Sequence, residues 1–179
     1  MNNCYLDAEA VITFFRMTGR KHIFITGSRG SGKSHLVNNM LKHMSDSFNL
    51  LQSHRTDTPQ VVIKSNLVAD NKEFVIGVPR TSGINPASKG NNMTIIEDGF
   101  INCAIPAIDT HLDTTPERLF VIDELGYLES SCIPFQKAVE KLLDNSHVLA
   151  VIRKQSTEFL NRICNSCLLY TSPSPRDGL

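Results

Sequence analysis

Short apolar runs and helix-period stripes alternate along most of this chain. Residues 23–25 (Ile-Phe-Ile) and 119–122 (Leu-Phe-Val-Ile) are continuous apolar runs, a pattern typical of parallel strands that are buried on both faces of a sheet. After the first run, apolar side chains recur at helical spacing, at Leu36, Val37, Met40, Leu41 and Met44. Strands that alternate with helices predict an α/β fold with a mostly parallel sheet.

The same periodicities predict the other elements. Residues 48–63 are expected to hold the second strand, with 61–63 as its best candidate, and 100–112 a helix broken at Pro106. Further strands are predicted at 73–78, 93–97 and 147–152, and further helices at 6–17, at 134–144 and from a Ser156 cap to Cys164. We therefore divide the chain into an amino-terminal helix (1–20), a main domain (21–166) and a tail (167–179). The first helix is interpreted as packing on the sheet edge, with a lid or a partner-docking role as the alternatives.

Residues 79–92 show no periodicity and are rich in Pro, Gly, Ser and Asn. A loop of this length in a compact domain is usually functional or disordered. Two interpretations stay open: a mobile surface loop, or a segment that closes over phosphates with Arg80 or Lys89 supplying positive charge to a transition state.

A glycine-rich loop follows the first apolar run and precedes the first helical stripe. It has the form G-x-x-x-x-G-K-S, the Walker A phosphate-binding loop, and both its strand and its helix are in the expected order. The predicted nucleotide-binding residues are Gly27, Ser28, Arg29, Gly30, Ser31, Gly32, Lys33 and Ser34. Backbone N–H groups would cradle a phosphate at the helix amino terminus, Lys33 would reach the β- and γ-phosphates, and the Ser34 hydroxyl would bind Mg²⁺.

The second apolar run ends in two acids, Asp123 and Glu124, which is the Walker B form. Ligands of open α/β sheets bind at the carboxyl ends of the strands. Asp123 is therefore predicted to hold Mg²⁺, usually through water, and Glu124 to act as the general base that activates a water molecule. The alternative interpretation is a strand whose acidic end is merely solvated. The upstream Walker A loop argues against that interpretation.

Residues 123–129 (Asp-Glu-Leu-Gly-Tyr-Leu-Glu) resemble the Asp-Glu-Ile-Gly-Pro-Met-Glu signature of a P-loop nucleoside-triphosphatase family. That family is found in bacteria and archaea and includes the human cancer-related nucleoside-triphosphatase. The resemblance implies a RecA-like three-layer sandwich and Mg²⁺-dependent hydrolysis of ATP, GTP and other triphosphates. By this resemblance, the family's site roles apply to the loop from Gly27 to Ser34 and to Asp123 and Glu124. Glu129 matches the signature by position. Tyr127 departs from the usual Pro.

Charge and cysteine content narrow the classes of function. Eighteen basic and eighteen acidic residues give no net charge, which argues against nucleic acid or an anionic membrane as a partner. No run approaches the ~20 apolar residues of a membrane helix, and the first residues lack the basic start of a signal peptide. We expect a cytoplasmic protein whose five cysteines are free thiols. The six histidines show no metal spacing.

The tail has an unusual composition. Residues 167–177 (Cys-Leu-Leu-Tyr-Thr-Ser-Pro-Ser-Pro-Arg-Asp) match one reading frame of the transposase adaptor DNA used in sequencing libraries. We therefore expect residues 167–179 to be non-native and disordered, and the sheet to lack its last strand. Cys167, half of a C-x-x-C pair with Cys164, carries no functional prediction.

Three functions are compatible with these motifs. Hydrolysis of nucleoside triphosphates is the leading hypothesis, because an Asp-Glu pair favours water as the nucleophile. A nucleoside or nucleotide kinase shares the loop, but no Arg-rich lid is evident in the sequence. An ATP-driven switch that acts on a protein partner or nucleic acid is the third, and the amino-terminal helix leaves it open.

Overall fold

The computed structural model describes residues 21–28, 30–43, 48–80, 93–154, 156–165 and 168–171, and singly Thr13, Met17 and Gly19. Arg29, Lys89, the loop 81–92 and most of the predicted helix 6–17 lie outside the described residues.

One sheet organises the described part of the chain. Its eight strands are β1 (His22–Gly27), β2 (Phe48–Arg55), β3 (Val61–Ser65), β4 (Phe74–Pro79), β5 (Met93–Ile95), β6 (Leu119–Leu125), β7 (His147–Arg153) and β8 (Leu168–Thr171). Their spatial order is β5-β4-β3-β2-β6-β7-β1-β8. The five strands from β2 to β8 in that order are parallel, and β3, β4 and β5 extend the sheet as antiparallel strands. The predicted mostly parallel α/β sheet is confirmed.

Helices cover both faces of the sheet. They are α1 (Lys33–His43), α2 (Glu97–Gly99), α3 (Ile105–Thr114), α4 (Ile133–Asn145) and α5 (Glu158–Cys164), with a π-helical turn (Phe100–Ala104) that joins α2 to α3. The α1 side chains pack on one face and those of α3, α4 and α5 on the other, which makes three layers. Across the described residues, every helix is too short or too polar to cross a membrane.

The two faces of β1 show how the sequence builds these layers. Successive side chains of a strand point to opposite faces. Ile23 and Ile25 accordingly join the buried cluster that includes Met40 of α1, while Phe24 belongs to the larger cluster on the opposite face. A continuous apolar run is required here because β1 is buried from both sides.

Three predicted elements differ in detail from the structure. The segment 48–63 holds two strands, β2 and β3, and it is β2 that pairs in parallel with β6. The helix predicted over 100–112 is not broken at Pro106. The π-helical turn Phe100–Ala104 runs directly into α3 and changes the hydrogen-bond pattern just ahead of the residue that has no N–H. Thr157 rather than Ser156 caps α5, with its hydroxyl accepting from Leu160 N at 3.1 Å.

The expectation that the sheet lacks its last strand is wrong, as is the expected disorder for residues 168–171. These residues form β8, which pairs in parallel with β1 from Ile23↔Leu168 to Thr26↔Thr171. The physical reason is that a strand edge offers unpaired N–H and C=O groups to any chain of suitable geometry, and Leu-Leu-Tyr-Thr has high strand propensity. The origin of the tail stays a prediction from the sequence.

A buried polar network links α3 to the amino ends of β2 and β7. The Asn49 amide donates to Nδ1 of His111 at 2.8 Å, and Nε2 of His111 lies 2.7 Å from the Ser146 hydroxyl, which donates to the Pro116 carbonyl at 2.8 Å. This arrangement fits a neutral imidazole, since Nδ1 accepts. Burial also lowers the pKa of His111, against the opposing charge of Glu117.

A second buried histidine gives the fold a pH dependence. Burial, together with the charges of Lys21 and His147, lowers the pKa of His22 to about 4. When folding lowers the pKa of a histidine, the folded state is most stable above the pKa that the histidine has in the unfolded chain, ~6.5. This stability is lost as the pH falls toward the lower pKa of the folded state.

We predict that the free energy of unfolding falls as the pH is lowered from 6.5 to 4.5. At ~1.36 kcal/mol per pKa unit, His22 accounts for about 2–3 kcal/mol of that loss. In His22→Phe the dependence should be shallower by this amount, measured by urea unfolding at a series of pH values. His35→Gln, which changes an exposed histidine of α1, is the control. An unchanged slope in His22→Phe would contradict the assignment.

Candidate active site

The glycine-rich loop lies between β1 and α1 at the carboxyl end of the sheet. Gly30 and Gly32 have φ values of 76° and 85°, a left-handed conformation that glycine adopts without strain. The Leu36 N–H donates to the Gly32 carbonyl at 2.9 Å, so helical hydrogen bonding begins within the loop. The loop thus turns sharply and directs the amino terminus of α1 into the site.

Lys33 is held inside this loop. Its Nζ donates to the carbonyls of Gly27 at 3.1 Å and Ser28 at 3.0 Å, and the residue is only 8% exposed. A buried ammonium group needs such partners. The contacts hold the positive charge at the floor of the loop, where a phosphate group would lie.

Ser34 and Asp123 meet across the first helix and the sixth strand. The Ser34 hydroxyl donates to Oδ1 of Asp123 at 3.2 Å. Burial raises the pKa of Asp123, and the charge of Glu124 adds to this, while hydrogen bonds from Ser34 and Gln52 oppose it. A buried carboxylate of this kind is a good ligand for a cation that would compensate its charge.

A hydroxyl and a carboxylate are the hard oxygen donors that suit Mg²⁺, which binds through few protein ligands and keeps several waters. The donor set of Ser34 and Asp123 therefore fits that ion. No cluster of three or more His, Cys, Asp or Glu side chains suited to a metal occurs among the described residues.

Glu124 forms an ion pair with Arg153, the last residue of β7. Both Nε and Nη2 of Arg153 lie 2.7 Å from Oε1 of Glu124. The Glu124 side chain is 24% exposed and that of Arg153 is 51% exposed. The pair therefore lies at a solvent-accessible surface, in contrast to the buried Asp123 beside it.

A cavity of about 730 Å³ lies beside the loop. It is lined by six loop residues and by five residues outside the loop: Gly27, Ser28, Gly30, Gly32, Lys33 and Ser34, and His35, Arg55, Glu124, Arg153 and Lys154. Arg80, which we considered as a phosphate-contacting cation, is exposed and is not among the described residues that line it. Lys33, Arg55, Arg153 and Lys154 give the cavity the positive charge that a polyphosphate requires.

Arg55 was missed in the sequence because β2 was not recognised as the parallel neighbour of β6. The carboxyl ends of parallel strands share one edge of the sheet. Had β2 been identified, the charged residue at its carboxyl end would have been a candidate, because ligands of open α/β sheets bind at that edge.

Glu129 stabilises the turn that follows Glu124. Its Oε2 accepts from the Gly126 N–H at 2.9 Å and its Oε1 accepts from the Ser53 hydroxyl at 3.2 Å. Burial raises the pKa of Glu129. The carboxylate thereby ties the turn after Glu124 to β2, which gives a structural reason for an acid at this position of the signature.

Comparisons with known proteins identify the family of this chain and structures that share its fold. The family model described as NTPase matches residues 22–178. The crystal structure of THEP1 from the hyperthermophile Aquifex aeolicus is similar, with a TM-score of 0.67, 18% identity, and coverage of 88% of this chain and 92% of that chain. The solution structure of a human cancer-related nucleoside triphosphatase has a TM-score of 0.62 and 16% identity, covering 87% of this chain and 90% of that one. At these identities the two structures show a shared fold. A search of curated proteins gave no match.

We predict that Glu129→Gln and Glu129→Ala differ strongly in stability. A carboxylate whose pKa is raised by folding costs stability at neutral pH. An amide removes that cost: its oxygen still accepts from the Gly126 N–H, and its NH2 group donates to the Ser53 hydroxyl, which then acts as the acceptor. Glu129→Gln should therefore unfold at pH 7 with at least the wild-type free energy. Glu129→Ala leaves a buried donor unpaired and a cavity, and should lose about 2–4 kcal/mol. Urea unfolding measures both, and equal losses would mean that the negative charge itself is needed.

Proposed function

This chain belongs to the NTPase family, and from that premise we propose that it hydrolyses ATP, GTP and other nucleoside triphosphates in a Mg²⁺-dependent reaction. One observation carries the proposal: Lys33, Ser34 and Glu124 line the same cavity. The phosphate-binding loop, a metal-binding hydroxyl and a carboxylate suited to activate water are thus within reach of one ligand. The family membership supports hydrolysis in general, and the residue roles below are our proposal.

In the proposed reaction, the loop amides from Gly27 to Ser34 and the Lys33 ammonium bind the β- and γ-phosphates. Ser34 and Asp123 would hold Mg²⁺, which supplies positive charge to the phosphate oxygens when bound. The remaining steps belong to the protein. Little covalent chemistry is required of it, so positioning and charge account for most of the catalysis.

Glu124 performs the proton transfer. Its carboxylate accepts one proton from a water molecule as the water oxygen forms a bond to the γ-phosphorus. The bond from that phosphorus to the β,γ-bridging oxygen breaks, and the bridging oxygen leaves with the nucleoside diphosphate. A general base of this kind contributes a factor of about 10²–10⁴.

Glu124→Gln is expected to lower phosphate release by at least ~100-fold, the lower end of the range for a general base. Release from ATP, GTP, CTP and UTP is measured with and without Mg²⁺, and ADP affinity is measured in parallel. Glu158→Gln, which changes a glutamate that is 92% exposed on α5, should leave both unchanged. Wild-type rates in Glu124→Gln would exclude the proposed base.

The same assay separates the alternative functions. A kinase would form ADP only when an acceptor is added. A switch that acts on a partner would show slow turnover that rises with the partner. Acceptor-independent release from several triphosphates supports the hydrolase.

Asp123→Asn is expected to raise the Mg²⁺ concentration for half-maximal activity by about 10-fold or more, the range found for weakened metal sites. The amide keeps the shape and removes the charge. Asp109→Asn, which breaks an exposed ion pair with Lys141, is the matched control. A Mg²⁺ titration of each variant makes the measurement, and an unchanged requirement in Asp123→Asn would remove it from the metal site.

A further inference from the structure

The strand that carries Arg153 lies between the two strands that carry the site. In the sheet, β7 pairs with β1 on one side and with β6 on the other, and Arg153 is the register partner of Gly27. The backbone of Arg153 is therefore adjacent to the start of the phosphate-binding loop, while its side chain reaches Glu124 on the opposite side. No other strand of the described sheet adjoins both β1 and β6.

The contact with Glu124 uses part of the guanidinium group. Nε and Nη2 both lie 2.7 Å from one carboxylate oxygen, Oε1. A guanidinium has five N–H donors in a planar fork, so three more N–H groups can reach another anion while the pair is intact. The exposure of Arg153 also keeps the group accessible from the cavity, since exposed ion pairs exchange partners at little cost.

We propose that Arg153 is a catalytic residue that binds the γ-phosphate of the bound nucleotide and positions Glu124 at the same time. This rests on the proposed function and deepens it. In the structure the guanidinium neutralises Glu124. With a triphosphate in the loop, the same group lies between the base and the reacting phosphoryl group and stabilises the negative charge on its oxygens, as an arginine supplied by the same chain does in other phosphoryl-transfer enzymes.

The other cations of the cavity are less suited to this role. Lys33 is held by the carbonyls of Gly27 and Ser28. Arg55 ends β2, which is three strands from β1, about 14 Å at the usual strand spacing of ~4.8 Å. Lys154 lines the cavity, but an ammonium is a point charge and lacks the planar fork that can bridge a carboxylate and a phosphate.

Arg153→Gln tests the proposal in the full-length chain. It should lower kcat for ATP hydrolysis by about 10³-fold, the lower end of the range for a catalytic arginine, with KM changed by less than about threefold. Arg153→Lys keeps the charge without the fork and should recover only part of kcat. Arg162→Gln breaks a comparable exposed pair with Glu140 at 2.8 Å and should leave kcat unchanged. An Arg153→Gln kcat within about threefold of wild type would overturn the proposal.

Binding of a phosphoryl mimic separates this proposal from the proposed function. Affinity is measured for ADP with Mg²⁺, with and without aluminium fluoride, which imitates the transferring phosphoryl group. Wild type should bind ADP more tightly when fluoride is present, and Arg153→Gln should lose that increment while its affinity for ADP alone is kept. Equal increments in both proteins overturn the role of Arg153. If wild type releases no phosphate, the proposed function fails, and this binding comparison still decides whether Arg153 contacts the γ-position.

A double variant tests the second half of the proposal, that Arg153 and Glu124 act as a unit. Residues that act together in catalysis give losses that do not add. Glu124→Gln combined with Arg153→Gln should therefore be no more than about threefold slower than the slower single variant. A loss equal to the product of the two single losses would show independent roles and would exclude positioning of Glu124 by Arg153.

Discussion

The register in which β7 pairs with β1 and β6 determines where the charged groups of the site lie. Because Gly27 is opposite Arg153 and Asp123 is opposite Val151, the phosphate-binding loop, the acidic pair and the guanidinium lie at one edge of the sheet. A shift of one residue in either pairing would move every side chain of a strand to the opposite face. An alternating strand would expose its apolar side chains after such a shift, whereas a continuous apolar strand would not. The register of these strands is therefore set by the packing of their side chains against α1 and α4.

The site also depends on charges that are buried to different degrees. Asp123 and Glu129 lie beneath the surface, where burial raises the pKa of each, while Glu124 and Arg153 remain at the surface of the cavity. Glu129 fixes the turn after Glu124, and Asp123 suits a cation. The Glu124–Arg153 pair is accessible, and exposed ion pairs exchange partners at little cost. Buried acids and an accessible ion pair thus lie within a few residues of the carboxyl end of β6.

Much of this arrangement could be predicted from the sequence, because the signals are local. The loop from Gly27 to Ser34 and the run that ends at Asp123 each carry their strand context with them, and the fold class follows from their alternation with helices. The features that were missed depend on distant contacts. β2 reads Phe-Asn-Leu-Leu-Gln-Ser-His-Arg and has no long apolar run. Its buried position 49 is polar, so its place beside β6, and with it Arg55, could not be found by periodicity. The hydrogen bond from Ser53 to Glu129 spans 76 residues and has no local signature.

The position of β1 has a consequence for synthesis of the chain on the ribosome. β1 leads into the phosphate-binding loop and is the first of the described strands to be made, yet its two neighbours, β7 and β8, are the last two of them. An apolar strand, Ile-Phe-Ile, therefore stays without its backbone partners until residues 147–171 have been made. Pairings between such distant segments form slowly, and unpaired apolar strands favour association between chains. Until that pairing forms, the strand that leads into the phosphate-binding loop offers its unpaired edges to other chains.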